Sequence, residues 1–100
     1  MTRLASMVFS RRSRRVKRAL DSARVLDEVV ANQLALVSRL PEDGRRRAAD
    51  FLAELVMLAA AYRHYAAGWI DRRELERRGL SIMQRLSVLR ARRPQFTEQD

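Results

Sequence analysis

The sequence predicts an all-α protein: an antiparallel helical bundle of about three helices with a basic N-terminal arm. Hydrophobic residues make up 47% of the 100 residues, yet only three Gly and two Pro are present, too few for the many turns of an all-β fold. Apolar residues recur at three- and four-residue steps over most of the chain, the period of a helix with one buried face. Two short breaks, at Pro41-Glu42-Asp43-Gly44 and at Gly68, cut that pattern into three. A chain this short can fill only one core, so the expected layout is an arm over 1–12, one bundle over 13–93 and a frayed tail over 94–100.

The first helix is expected to begin at Ser10 or Ser13, either of which can cap its first turn, and to run to about residue 40. Val16, Ala19, Leu20, Ala23, Leu26, Val30, Leu34, Val37 and Leu40 form its inward stripe. The second should start between residues 42 and 45 and end near Ala67, where Gly68 tolerates the left-handed conformation that closes a helix. It is apolar on more than one face, through Phe51, Leu52, Leu55, Val56, Leu58, Ala59, Tyr62 and Tyr65, so it belongs in the middle of the structure. The third opens at Asp71, which with Glu74 has the spacing of a capping box. Leu75, Gly79, Ile82, Met83, Leu86 and Leu89 make its inward stripe, and Pro94 stops it. Short connections favour antiparallel neighbours, hence an up-down-up bundle.

Composition narrows the function classes. Lys and Arg number 21 against 12 Asp and Glu, for a net charge of +9, which favours polyanionic partners. All but one of the basic residues are arginine, whose guanidinium suits phosphate contacts and stacking on bases, although an arginine-rich composition also follows from a GC-rich genome. With no cysteine, disulfides, thiol catalysis and cysteine zinc sites are excluded. The apolar stretch 51–67 is interrupted by Glu54, Arg63 and His64 and falls short of the roughly 20 residues of a membrane span. The first 20 residues, acid-free and rich in Arg and Ser, have the composition of a mitochondrial transit peptide, but no secretory signal is present. A cytoplasmic location is expected. His64 is the sole histidine, no glycine-rich phosphate loop exists, and no carboxylates pair at catalytic spacing. The expectation is therefore a protein that is not an enzyme and uses no cofactor or metal.

Two irregularities carry the functional expectation. Arg3, Arg11, Arg12, Arg14, Arg15, Lys17 and Arg18 all precede the first acid, Asp21, and such arms bind nucleic acid through counterion release without reading sequence. Arg11, Arg14 and Arg18 fall on the face opposite the apolar stripe. A second basic set, Arg73, Arg77, Arg78, Arg85 and Arg92, lies on the outer side of the third helix, with Glu74 among them. The candidate nucleic-acid-binding residues are thus Arg11, Arg12, Arg14, Arg15, Lys17, Arg18, Arg73, Arg77, Arg78 and Arg85; a merely solvated face would show the same pattern. Trp69 and Phe9, aromatics beside arginines, are candidates for stacking on bases. The other irregularity is apolar: Val25, Val29 and Leu36 lie opposite the main stripe of the first helix, and an outward apolar stripe marks a protein contact.

The stretch Ala67-Gly68-Trp69-Ile70-Asp71-Arg72-Arg73-Glu74-Leu75 resembles the turn of small bacterial helical hairpins, a likeness of capping that carries no function. In size, basic charge, lack of cysteine and outward apolar stripes the whole chain resembles the helical small subunits of multi-subunit CRISPR effector complexes. That resemblance implies stacking against neighbouring subunits and arginine contacts to a displaced or guide-paired strand; no motif assigns roles to particular residues. The expected function is a nonspecific nucleic-acid-binding subunit that assembles with copies of itself or other proteins, on a single strand or heteroduplex, without membrane or small-molecule substrate. Two alternatives stay open: a helical adaptor docking an acidic protein, and a helix-turn-helix DNA regulator. The second would need polar base-reading residues at the start of its recognition helix, where Arg72, Arg73, Glu74 and Glu76 stand instead.

Overall fold

The computed structural model describes residues 2–91, with side chains from residue 11 onward; Arg92, the tail over 94–100 and the side chains of Arg3 and Phe9 lie outside these. Three helices account for it: α1, Thr2–Val37, α2, Glu42–Ala66, and α3, Arg72–Ala91. No strand occurs among the described residues, so the fold is all-α as predicted.

α1 begins well before Ser10 and Ser13, so the basic segment continues the helix instead of preceding it as a separate arm. The reason is local. No Gly or Pro lies between residues 2 and 40, and Leu, Ala, Met and Arg are strong helix formers, so a serine with helical residues on both sides does not start a new helix. At about 1.5 Å per residue the 36 residues of α1 are about 54 Å long. That outreaches the 25 residues of α2, and the molecule is elongated, 70 × 24 × 21 Å.

The two connections form as the punctuation implied. α1 winds down through bonds from Arg39 N to Leu36 O at 3.1 Å and Leu40 N to Val37 O at 3.0 Å. Pro41 then stands at the N-cap of α2 with an extended ψ of 161° and no side-chain cap. At the other end Gly68 takes φ 80°; Gly68 N donates to Tyr65 O at 3.0 Å and Trp69 N to His64 O at 2.9 Å. This pair of bonds is the Schellman closure, which favours glycine at the left-handed position. Asp71 caps α3 by accepting from Glu74 N at 2.8 Å. The reciprocal half of the predicted capping box is replaced, because the Glu74 carboxylate is taken up by Arg77 and Arg78.

α2 is the central helix. It packs against α1 on one side and α3 on the other, whereas no Cα of α1 comes within 8 Å of one in α3. The α1 contact is built on small residues, Ala19 and Ala23 against a helix carrying buried Leu52 and Ala59, and the α3 contact centres on Ile82 and Leu86. Ion pairs cross both contacts: Arg63 with Asp27 and Arg85 with Glu54 at 2.8 Å. Because α1 and α3 each face a single helix, their buried stripes are narrow. Leu20, Leu34, Leu40 and Met83, all expected to point inward, are exposed, Met83 to 58%. The bundle is open, and a trough runs between α1 and α3 along α2.

Candidate nucleic-acid interface

One end of the trough widens into a corner where the first half of α1 meets the turn between α2 and α3. Its volume is about 650 Å³, and α1 contributes Arg11, Arg12, Arg15 and Val16. The turn contributes Tyr65, Gly68, Trp69, Asp71 and Arg72. The sharp closure at Gly68 throws Trp69 outward: its side chain is 75% exposed, far above what a large aromatic ring adopts without reason. The ring is held nonetheless, with its centroid 5.2 Å from that of His64 at an interplanar angle of 34°. His64 in turn accepts at Nδ1 from Arg78 at 3.2 Å. The indole thus leans on His64, is otherwise largely exposed, and lines the same corner as Arg11, Arg12 and Arg15.

The adjoining trough, about 460 Å³, shares Arg15, Tyr65 and Arg72 with the corner. It continues between Arg18, Ala19 and Ser22 of α1 and Leu75, Gly79 and Leu80 of α3, over Leu58 and Tyr62 of α2. Together they make a channel with aromatic and aliphatic walls and an arginine-lined mouth.

The ion pairs separate the two basic sets. Every pair among the described residues involves an arginine at position 24 or later. On α3, Arg77 and Arg78 both hold Glu74, at 2.6 and 2.8 Å, Arg85 holds Glu54, and Arg72 reaches Glu76 at 3.1 Å. Of the α3 candidates only Arg73 has no carboxylate within 4 Å among the described residues. Arg11, Arg12, Arg14, Arg15, Lys17 and Arg18 likewise have none among these residues, and all six are exposed. Of these six, Arg11, Arg12 and Arg15 line the corner, and Arg15 and Arg18 the trough; Arg14 and Lys17 line neither. Arg45, Arg46 and Arg47 stand together near the start of α2, and of these Arg46 reaches Glu42 at 3.2 Å.

The sequence alone did not reveal that Arg72 and Tyr65 join the α1 arginines, since nothing local couples residues about sixty positions apart. Val25, Val29 and Leu36 are exposed on α1 as expected. α2 and α3 lie side by side along much of their length, joined at Arg78 and His64 and again at Arg85 and Glu54. A helix-turn-helix instead crosses its two helices at about 90–120°. No cluster of three or more potential metal ligands exists among the described residues, and no described helix is long and apolar enough to cross a membrane. No family model, curated protein or solved structure matches the chain.

Proposed function

We propose that the protein binds single-stranded nucleic acid without sequence preference at the corner between α1 and the α2–α3 turn, as one component of a larger assembly. The observation that carries this reading is the open indole of Trp69 beside Arg11, Arg12 and Arg15, which spend none of their charge on described carboxylates. Phosphates are the natural partners of exposed guanidinium groups free of internal ion pairs. An aromatic face beside them supplies the stacking surface that sequence-tolerant single-strand binders use. Arg11, Arg12 and Arg15 hold the backbone, Trp69 receives a base, and Tyr65 with Arg72 continues the path into the trough. Arg77, Arg78 and Arg85 of α3 play a structural part, pairing with Glu74 and Glu54.

Trp69 is the single tryptophan, so its fluorescence reports on the site directly. Titration with an oligothymidylate after nuclease treatment of the protein is expected to quench that emission along a saturable curve. Trp69→Ala, followed by filter binding, should weaken affinity by about 1–3 kcal/mol, the usual worth of one stacked base. Arg77→Ala should leave it unchanged. Absence of salt-dependent affinity for any single or double strand would end this reading. A clean protein absorbance spectrum on purification, together with capture of an acidic protein, would move it toward the adaptor.

A further inference from the structure

Gly68 and Gly79 differ in why they are glycine. Gly68 takes φ 80°, whereas Gly79 has no positive φ and lies in the interior of α3, where glycine loses more backbone freedom on folding than alanine and weakens the helix. Packing does not call for it either: a Cβ at Gly79 would meet no other helix or neighbouring side chain within 4 Å among the described residues. Gly79 lines the trough on its α3 wall, across from Arg18, Ala19 and Ser22 of α1. The room left by its missing side chain therefore belongs to the trough. What remains among the uses of glycine is close approach of the backbone to a ligand.

We infer that the trough is a second base subsite for the same strand: the nucleobase next to the one on Trp69 lies in it, against Tyr62 and Tyr65 and close to the α3 backbone at Gly79. This rests on the strand reading proposed above and adds where the neighbouring nucleotide goes. Continuity selects the occupant first. Arg15, Tyr65 and Arg72 line both the corner and the trough, so the two spaces are one channel, and a chain held at Trp69 leads into it. Lining chemistry selects it next. Leu58, Leu75 and Leu80 with the rings of Tyr62 and Tyr65 present apolar and aromatic surface in a space of about 460 Å³, and such surface takes the face of any base.

Charge sets how the nucleotide lies. On the α3 side of the trough Arg72 and Glu76 answer each other at 3.1 Å. Arg15 and Arg18, on its α1 rim, are exposed and have no carboxylate within 4 Å among the described residues. The unanswered cations thus stand at the rim, and the floor over Leu58 and Tyr62 is uncharged. Arg15, shared by corner and trough, holds the phosphate that links the two bases, and the base itself goes to the uncharged floor. A base inside a duplex would have to give up its pairing and stacking before entering, so the subsite selects unpaired strands.

Trp69 fluorescence titrations of the nuclease-treated full chain at low salt test this, with thymidine monophosphate and tetrathymidylate as ligands and thermal melts alongside. Gly79→Ala should raise the melting temperature by a few degrees yet weaken tetrathymidylate binding, a combination that misfolding cannot produce. Gly79→Leu, which fills the trough, should weaken it by about tenfold, within the worth of one stacked base. Thymidine monophosphate, whose quenching of Trp69 reports the corner alone, should bind wild type and both variants equally. A Gly79→Ala protein that melts below wild type would show that packing needs the glycine, and would overturn the inference. So would tetrathymidylate affinity unchanged by Gly79→Leu, or a loss shared equally by the mononucleotide; in either case Trp69 quenching persists and the corner reading stands. If neither ligand quenches the wild type and longer strands show no salt-dependent affinity, the strand reading itself fails and this inference with it.

Discussion

At the scale of single residues, Glu74 shows how this arginine-rich chain manages its own charge. Its carboxylate accepts from Arg77 Nε and Nη2 at 2.8 and 2.6 Å and from Arg78 Nε at 2.8 Å. Those bonds, Arg77's foremost and Arg78's next, hold it well below the usual carboxylate range, from 4.5 to about 2. The same pairing raises the Arg77 guanidinium. A carboxylate more acidic folded than unfolded favours the folded state above its unfolded value, and that contribution is lost as pH falls from about 4.5 toward 2. Solvent reaches the group, so the contribution is modest and shrinks with salt. Urea midpoints taken between pH 5 and pH 2 should therefore decline in the wild type, and Glu74→Gln should flatten the decline. An identical acid limb in the two proteins would show that the pairing contributes nothing.

At the scale of helices, the α1–α2 contact depends on smallness. Ala23 is completely buried and Ala19 and Ala59 nearly so, which lets two backbones approach closely at the cost of apolar area per residue. Ala23→Leu should cost about 1–3 kcal/mol by overpacking, read as a lowered denaturation midpoint, whereas the same change at exposed Ala35 should cost nothing measurable. Much of this level is written locally in the chain. Gly68 and Asp71 mark the α2–α3 turn because a left-handed residue and a side-chain cap are properties of neighbouring residues, and the apolar girth of α2 betrays its central place. The openness of the bundle is not written there. Leu20 and Met83 share the period of their buried neighbours, but α1 and α3 each pack on α2 alone, and the single contact leaves both side chains in solvent. Ser10 and Ser13 have the chemistry of caps, but a cap works only where the preceding residues leave the helix, and in α1 they do not. Arg77, Arg78 and Arg85 have the outward placement of phosphate ligands, yet Glu74 and Glu54 hold them. The corner itself depends on residues 11–15 meeting residues 65–72, which follows from how α1 lies along α2.

At the scale of the whole molecule, the net charge of +9 overstates what a polyanion would meet. Ion pairs consume Arg24, Arg46, Arg63, Arg72, Arg77, Arg78 and Arg85, all in the part of the chain that holds the acids. The largest unpaired group among the described residues, Arg11, Arg12, Arg14, Arg15, Lys17 and Arg18, stands on the first half of α1 of a particle 70 Å long, while the unpaired Arg39, Arg45, Arg47, Arg73 and Arg90 are spread over the rest. A strand would therefore engage the corner and its three arginines without an ion pair, Arg11, Arg12 and Arg15, while the far end of the rod stays out of contact. Each phosphate neutralised on a single strand contributes about −0.7 to the slope of log K against log salt concentration, so three contacts predict a slope near −2. A charge spread evenly over the surface would give a steeper dependence that scales with strand length. Replacing Arg11 and Arg12 together by Gln should reduce the magnitude of the slope by about 1.4, while Arg73→Gln, on the outer face of α3, should leave it unaltered. Anisotropy titrations with a short oligothymidylate at several salt concentrations measure all three slopes. Equal slopes in the three proteins would mean that the strand is held by the overall charge and not by the corner.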